Sequence, residues 1–455
     1  MSAEPGPAAP SPVEPGIEPR LGAFDASMVV VSLVIGIGIF RTPALVAAST
    51  GREGLFFAAW AVCGVVSLMG ALTYAEIGSR LPRTGGYYRV VAEAYHPALA
   101  FMLNWAQAVV QGAGAAGVSF IGAEYLLALF LPPEGRTPET IRAGALMLMV
   151  ALLVLNFLGI RTGARTQNVL SVLKIAMIVG VALSAALVWG VDTMEMTGPR
   201  LPPATPGSLI AAAVACFYTY GGYQNAMNLG GDVRNPRRNL PLSICGGMLM
   251  VVALYLLVNT AYVAALGMKA VAGSKLVAAD LAWLALGPAG ARVVSLLIFL
   301  SAAGFVNATI LQMPRGYYAM AEDGGLPRVF LRVNPRTQVQ EVGLLFFAAT
   351  MLLPAFWLGS FEKLLNYVMF TDGLSLAVVA STLFVLRRRG TGEGQPGLFR
   401  MPLYPLLPAV FMACLTAVSL RVLLTETRLS LAGLGILLAG WPLFRLARRA
   451  TGAAR

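Results

Sequence analysis

The sequence predicts an all-α, polytopic membrane protein of about twelve transmembrane helices. Three observations carry that prediction. Of 455 residues, 57% are hydrophobic and only 12% are charged, too little polar surface to clothe a soluble globule of this size. The apolar residues gather into runs of roughly 18 to 26, the length that crosses a bilayer core. The Lys and Arg residues behind the net charge of +12 fall in short clusters between those runs, which reads as anchoring to the lipid bilayer and not as nucleic-acid binding.

Taken in order, residues 1–20 are rich in Pro, Ala and Glu and lack the basic and apolar regions of a cleaved signal, so they read as a disordered cytoplasmic tail. The apolar runs then place spans near 24–48, 55–79, 96–130, 140–160, 167–190, 208–229, 241–266, 289–320, 341–358, 362–386, 402–424 and 429–446. With the N-terminus inside, the inner segments hold clusters such as Arg80, Arg83 and Arg89, or Arg387, Arg388 and Arg389. The balance is about twenty Lys/Arg inside against about eleven outside, so both termini are expected in the cytoplasm. The expected organisation is a ten-helix core over 21–390, two further spans over 391–446 and a basic cytoplasmic tail over 447–455.

Glycine interrupts the first span at Gly36-Ile37-Gly38 and the sixth at Tyr220-Gly221-Gly222-Tyr223. The interval of five spans is odd, so two such copies run in opposite directions through the membrane, as in an inverted repeat; close helix packing is the other use of glycine here. A helix broken at mid-membrane exposes N–H groups where its second half begins and carbonyls where its first half ends. Free N–H groups from Ile35 and Gly36 through Ile37, Gly38 and Ile39 suit a carboxylate, while carbonyls from Tyr218, Thr219, Tyr220, Gly221 and Gly222 suit an ammonium group.

Lys174 is a lone ammonium among apolar residues of the fifth span, where an ionisable group is a functional hypothesis unless it snorkels to the interface. Arg41, just past the first break, either draws anions toward an outer vestibule or pairs with an outer acid. Gln111 and Asn307 are amides for lining a pocket or bonding helix to helix, and Tyr223 belongs to an aromatic stripe with Phe217, Tyr218 and Tyr220 that can close over a substrate. Glu76 and Arg315 are either a gate pair or interfacial anchors, Glu124 is the acid that keeps a cationic substrate open, and Asp372 is a further polar residue near a span.

The four cysteines, Cys63, Cys216, Cys245 and Cys414, lie in apolar runs without metal-ligand spacing, and the only histidine, His96, precedes Pro97. No metal, no cofactor and no nucleophile–base constellation is expected, which sets enzymes aside.

Gly36-Ile37-Gly38-Ile39-Phe40 resembles the break in the first helix of the amino acid/polyamine/organocation superfamily. The match continues through Gly70-Ala71-Leu72-Thr73-Tyr74-Ala75-Glu76-Ile77, Thr84-Gly85-Gly86-Tyr87, Phe217 to Tyr223, Asn235 to Pro241 and Phe399 to Pro405. These motifs are most similar to the L-type amino-acid transporter branch and its bacterial relatives. The resemblance implies a five-plus-five inverted repeat with broken helices 1 and 6, as in LeuT-like folds, and a substrate held by its backbone groups at Gly36 to Gly38 and Tyr218 to Gly222. It also implies that Lys174 occupies the place of the sodium of related carriers, linking the first, fifth and eighth helices. Two departures, Tyr223 for a frequent Trp and Arg41 for a small or aliphatic residue, lie near the implied pocket.

The function this implies is sodium-independent transport of neutral L-amino acids by alternating access, through exchange or facilitated uptake, in a bacterial cytoplasmic membrane. The rivals are a proton-coupled symporter with Lys174 titrating, and a non-transporting amino-acid sensor. Residues 131–139 hold no cysteine, so no disulfide-linked accessory chain is expected.

Overall fold

The fold is that of a computed structural model, which describes residues 19–188, 201, 203–274, 276–357, 361–425 and 427–450. Among the described residues it holds fifteen α-helices and no strand beyond two isolated bridges. The first span is two helices, α1 (Ala23–Val34) and α2 (Gly38–Thr50), bent by 42° at the glycines between them. Then follow α3 (Glu53–Arg80), the short α4 (Gly86–Ala94), α5 (Pro97–Leu127), α6 (Pro138–Phe157), α7 (Ile160–Ser184) and α8 (Pro206–Tyr220). The second half comprises α9 (Pro236–Leu266), the short α10 (Met268–Gly273), α11 (Val277–Glu322), α12 (Glu341–Trp357), α13 (Phe361–Arg388), α14 (Leu406–Thr425) and α15 (Thr427–Ala450).

Seven of these helices are long and apolar enough to cross a membrane alone, and the bent α1–α2 pair makes eight. Two of the others, α8 and α5, fall short for visible reasons. α8 has only 15 residues because it stops at Gly221. α5 carries polar side chains that face inward: the Gln107 amide donates to Asp372 of α13 at 2.6 Å. Such residues lower a hydropathy average without touching lipid.

Local chemistry sets the helix starts. Pro occupies the first turn of α5, α6 and α8, where its missing N–H costs nothing. Thr205 and Ser208 form a reciprocal capping box on α8. The single histidine has a structural task of the same kind, since His96 Nδ1 accepts from the Ala98 N–H at 3.0 Å and caps α5.

Three expectations are adjusted. Arg20, assigned to the tail, is ordered: the N–H groups of Arg20 and Leu21 both donate to the Asp232 carbonyl at 2.8 Å. Residues 447–450, also assigned to a tail, continue α15. Helical structure before the eighth span begins at Val277, with a kink at Gly287, whose φ of 67° interrupts the helical backbone. Residues 1–18, 189–200 and 451–455 lie outside the described residues.

The two broken spans lie at the centre. α1 packs on α7, α9 and α11, α2 packs on α8, and α1 also meets the 3-10 turn Tyr223–Asn228 that follows the second break. Each half of the first span thus faces the opposite half of the sixth, the arrangement expected of two inverted copies. α13 and α14 close the other flank against α3 and α5, and α15 packs on α5 and α13.

Candidate functional site

α1 ends at Val34 because Ile35 and Gly36 turn away: the Ile35 N–H reaches the Val31 carbonyl at 2.8 Å, but the Gly36 N–H turns back to Val34 at 2.9 Å. Three successive carbonyls stand at this helix end, and a different helix supplies a side-chain donor for each. The Tyr255 hydroxyl of α9 lies 3.2 Å from the Val34 oxygen, the Lys174 ammonium of α7 donates to the Ile35 oxygen, and the Ser301 hydroxyl of α11 donates to Gly36 at 3.2 Å. Lys174 Nζ also lies 3.5 Å from the Ser32 oxygen. A cation at a helix C-terminus meets the negative end of the helix dipole as well as the free carbonyls. Lys174 is 1% exposed, so it does not snorkel, and it joins α1 to α7 beside Gly304 of α11.

Beyond the break α2 begins at Gly38, whose first N–H groups have no carbonyl one turn earlier. Gly38 is needed for close approach: a Cβ there would stand 3.0 Å from Thr219 Cγ2. Thr219 in turn donates to Thr42 at 2.9 Å, which seats α8 on α2.

In the sixth span the helix stops at Tyr220, the Gly221 N–H folds back to the Tyr218 carbonyl at 3.2 Å, and Gly222 takes φ 115°. Only glycine fits there, because a Cβ at Gly222 would fall 2.2 Å from the Leu33 carbonyl oxygen. The two breaks therefore touch through backbone. Tyr255 completes the junction, its hydroxyl lying 3.3 Å from the Thr219 carbonyl as well as near Val34.

Between the breaks lies a cavity of about 120 Å3. Gly36, Ile37, Gly38, Tyr218, Thr219, Gly221 and Gly222 line it, with Gln111 of α5, Phe305 of α11 and Asp372 of α13. The wall is mainly apolar, with a few polar residues such as Gln111, Gln224, Asn225 and Asp372.

Other expected residues lie elsewhere. Ile35 contributes its carbonyl to Lys174, and Ile39 is buried in the core. Tyr220 turns outward onto Trp60 and Tyr255, its hydroxyl donating to the Trp60 carbonyl at 3.2 Å. Tyr223 stacks edge-on against Tyr74 over Gly70 of α3. Asn307 bonds helix to helix: it donates to Gly163 at 3.2 Å and Gln167 at 2.9 Å and accepts from Asn156 at 2.7 Å. Arg41 is exposed, near Tyr125 together with Glu124 and Asp280. Glu124 is also exposed, so the acid on the cavity wall is Asp372 instead.

Sequence reasoning did not assign Tyr255, Ser301, Gln167 or Ser171 to this region. Ser171 donates to the Met28 carbonyl and pairs with Ser32, each at 2.9 Å, so a polar chain runs from Asn156 through Asn307, Gln167 and Ser171 to α1. A signal was present, since Gln167, Ser171 and Lys174 recur at helical spacing on one face of α7.

At the end of the bundle where the even-numbered spans finish, acids and arginines are paired. Arg315 meets Asp232 at 3.2 Å with both buried, and Glu76 takes Arg80 at 2.8 Å and Arg387 at 2.6 Å. Glu76 and Arg315 are thus each bound to other partners and not to one another.

Residues 21–438 match the family model described as amino acid permease. The chain is 28% identical over 434 residues to the serine/threonine exchanger SteT of Bacillus subtilis (strain 168), covering 94% of this chain and 97% of that protein. It is 27% identical to the cystine/glutamate transporter of Homo sapiens, over 87% of this chain and 78% of the relative. It is also 27% identical to the human b(0,+)-type amino acid transporter 1, over 83% and 77% of the two chains.

Proposed function

We propose that this chain, which belongs to the amino acid permease family, is a sodium-independent carrier that exchanges L-amino acids or facilitates their uptake by alternating access. The observation that carries this reading is the cavity between two broken helices, lined by Gly36, Ile37 and Gly38 where α2 begins and by Tyr218, Thr219, Gly221 and Gly222 where α8 ends. An amino acid brings a carboxylate and an ammonium group joined by a single carbon. The first suits helix N–H groups and the second suits helix carbonyls, so the zwitterion is recognised by backbone and neutral side chains are admitted.

Sodium independence is supported by Lys174. Its Nζ already occupies the Ile35 and Ser32 carbonyls, the kind of oxygens a sodium ion would need. The paired groups Asp232–Arg315 and Glu76–Arg387 support alternation, since ion pairs that tie one span to a neighbouring segment are contacts that part when that end opens. With the N-terminus cytoplasmic, that end faces the cytoplasm. The chemistry is transport and not catalysis, as the names of the relatives also indicate.

The test is uptake of labelled alanine, threonine and leucine into proteoliposomes without sodium. Stimulation by unlabelled amino acid preloaded inside supports exchange. Uptake into empty vesicles driven by a pH gradient moves the reading to proton symport, and binding without flux moves it to a sensor.

A further inference from the structure

Among the described residues the cavity wall carries one charged side chain, and it is an acid. Asp372 lines the space from α13 among residues that are otherwise neutral, with no Lys, Arg or His among the described lining residues. One carboxylate oxygen accepts from Gln107 of α5 at 2.6 Å, and the Gln107 side chain is itself 4% exposed, so the carboxylate is held in place by a buried amide. Among the described residues no cation meets Asp372. Lys174, the nearest candidate by role, lies across α1 with its ammonium on the carbonyls of Ser32 and Ile35.

Surrounding rings deepen the imbalance. Tyr74, Tyr87, Tyr218 and Tyr223 all stand within electrostatic reach of Asp372. Asp372 is half-buried, and a carboxylate partly withdrawn from water among aromatic rings is costly without a partner of opposite sign. A neutral zwitterion does not remove that cost, because its own charges are satisfied by the two helix breaks. A substrate with one further positive charge does.

The dimensions set the reach. The cavity of about 120 Å3 is somewhat smaller than the roughly 150 Å3 void that accepts a benzene ring. Gly36 and Gly38 of the first break line the same space as Asp372, Gly373 and Leu376 of α13. A side chain with a few atoms beyond Cβ fills that space.

We propose that Asp372 is a specificity-determining residue that receives the terminal ammonium group of a short basic amino acid, so that the carrier takes short diamino acids in preference to neutral amino acids of equal size. This rests on the reading of the cavity as the site of amino-acid transport. Gln107 acts through Asp372 as a positioning residue, fixing the carboxylate toward the space between the breaks and α13.

The experiment compares L-α,γ-diaminobutyrate with its neutral isostere L-norvaline in exchange across proteoliposomes preloaded with norvaline, near neutral pH. The expected result is an apparent KM about tenfold lower for diaminobutyrate, the ratio that one well-formed charged contact supplies. Asp372→Asn brings the two KM values together, and Asp372→Glu keeps diaminobutyrate ahead; size-exclusion elution as a single species shows that each variant is folded. Equal KM values in the unaltered protein, with norvaline exchanged normally, overturn the proposal and leave the carrier function standing. A norvaline flux that follows a pH gradient and loses that dependence in Asp372→Asn, with no preference for diaminobutyrate, overturns it in favour of a proton site. Absence of exchange for both amino acids removes the underlying reading as well.

Discussion

The Tyr255 hydroxyl lies 3.2 Å from the Val34 carbonyl oxygen, and Thr219 offers the same hydroxyl a second acceptor at 3.3 Å. One proton is thus shared between the ends of two helices broken at mid-bundle. Replacing Tyr255 with Phe keeps the ring packing on Trp60 and Tyr220 and removes only that bridge. The loss of a neutral hydrogen bond is expected to cost about 1 kcal/mol of stability. The larger effect falls on the site: KM for exchanged amino acids rises several-fold, as read from proteoliposome kinetics. An unchanged KM alongside a lowered melting temperature limits Tyr255 to packing.

Lys174→Ala leaves the Ile35 and Ser32 carbonyls without their donor at the dipole-negative end of α1. Each buried carbonyl without a partner costs about 1–3 kcal/mol. Exchange is expected to fall at least tenfold while the chain still inserts and elutes as a single species. Lys174→Arg is not expected to restore it. The ammonium is closely confined, since a Cβ at Gly304 would stand 3.3 Å from both Lys174 Nζ and Ser32 Oγ, and a guanidinium is larger. Full activity in the arginine variant overturns the steric part of this account.

The two breaks differ in their tolerance of a methyl group. Gly222→Ala meets a backbone oxygen at 2.2 Å and a positive φ, and neither can relax locally. Gly36→Ala meets the edge of the Phe305 ring at 3.4 Å, ordinary contact with a movable side chain. Transport is therefore expected to disappear in the first variant and persist in the second. Gly36→Leu and Gly38→Leu crowd the cavity itself and abolish binding with insertion intact. Wild-type exchange in Gly222→Ala is the outcome that contradicts the backbone junction.

Outside the membrane, a hydrogen bond from Arg80, together with the charges of Arg80 and Arg400, holds the Glu393 carboxyl below the ordinary carboxylate range. A depressed folded-state value contributes stability above the unfolded pKa of about 4.3, which is lost as pH falls through the folded value. Glu393→Gln is expected to melt earlier than the unaltered protein near neutral pH. The two curves converge under acid, as thermal unfolding in detergent at a series of pH values will read. A gap that widens on acidification reverses the sign and excludes this linkage.

The spans were legible because hydropathy is a local property. An apolar run of sufficient length has few fates, and α3, α7 and α9 fall where their runs predict. The breaks were legible too, since glycine in a membrane helix marks a short list of uses and Gly36 and Gly222 fill two of them. Tyr255 and Ser301 gave no such sign, as a single Tyr or Ser in an apolar helix most often packs or bonds its own turn. Tyr220 and Tyr223 were placed beside the cavity by their closeness in sequence to Gly221. The 3-10 turn after Gly222 rotates Tyr223 onto α3 instead.

By itself the sequence determined the membrane class, the number of spans, the two interruptions and the intramembrane lysine, because each depends on residue type along a few helical turns. Tertiary structure alone decided which carbonyls Lys174 would hold, that Asn307 would bond helices and not line the cavity, and that the acid on the cavity wall would be Asp372 and not Glu124. Gln107 and Asp372 are 265 positions apart. Nothing local tells a carboxylate in α13 that α5 will bring it an amide, or that no cation among the described residues will follow. Side-chain direction at a helix crossing is set by how the whole bundle packs.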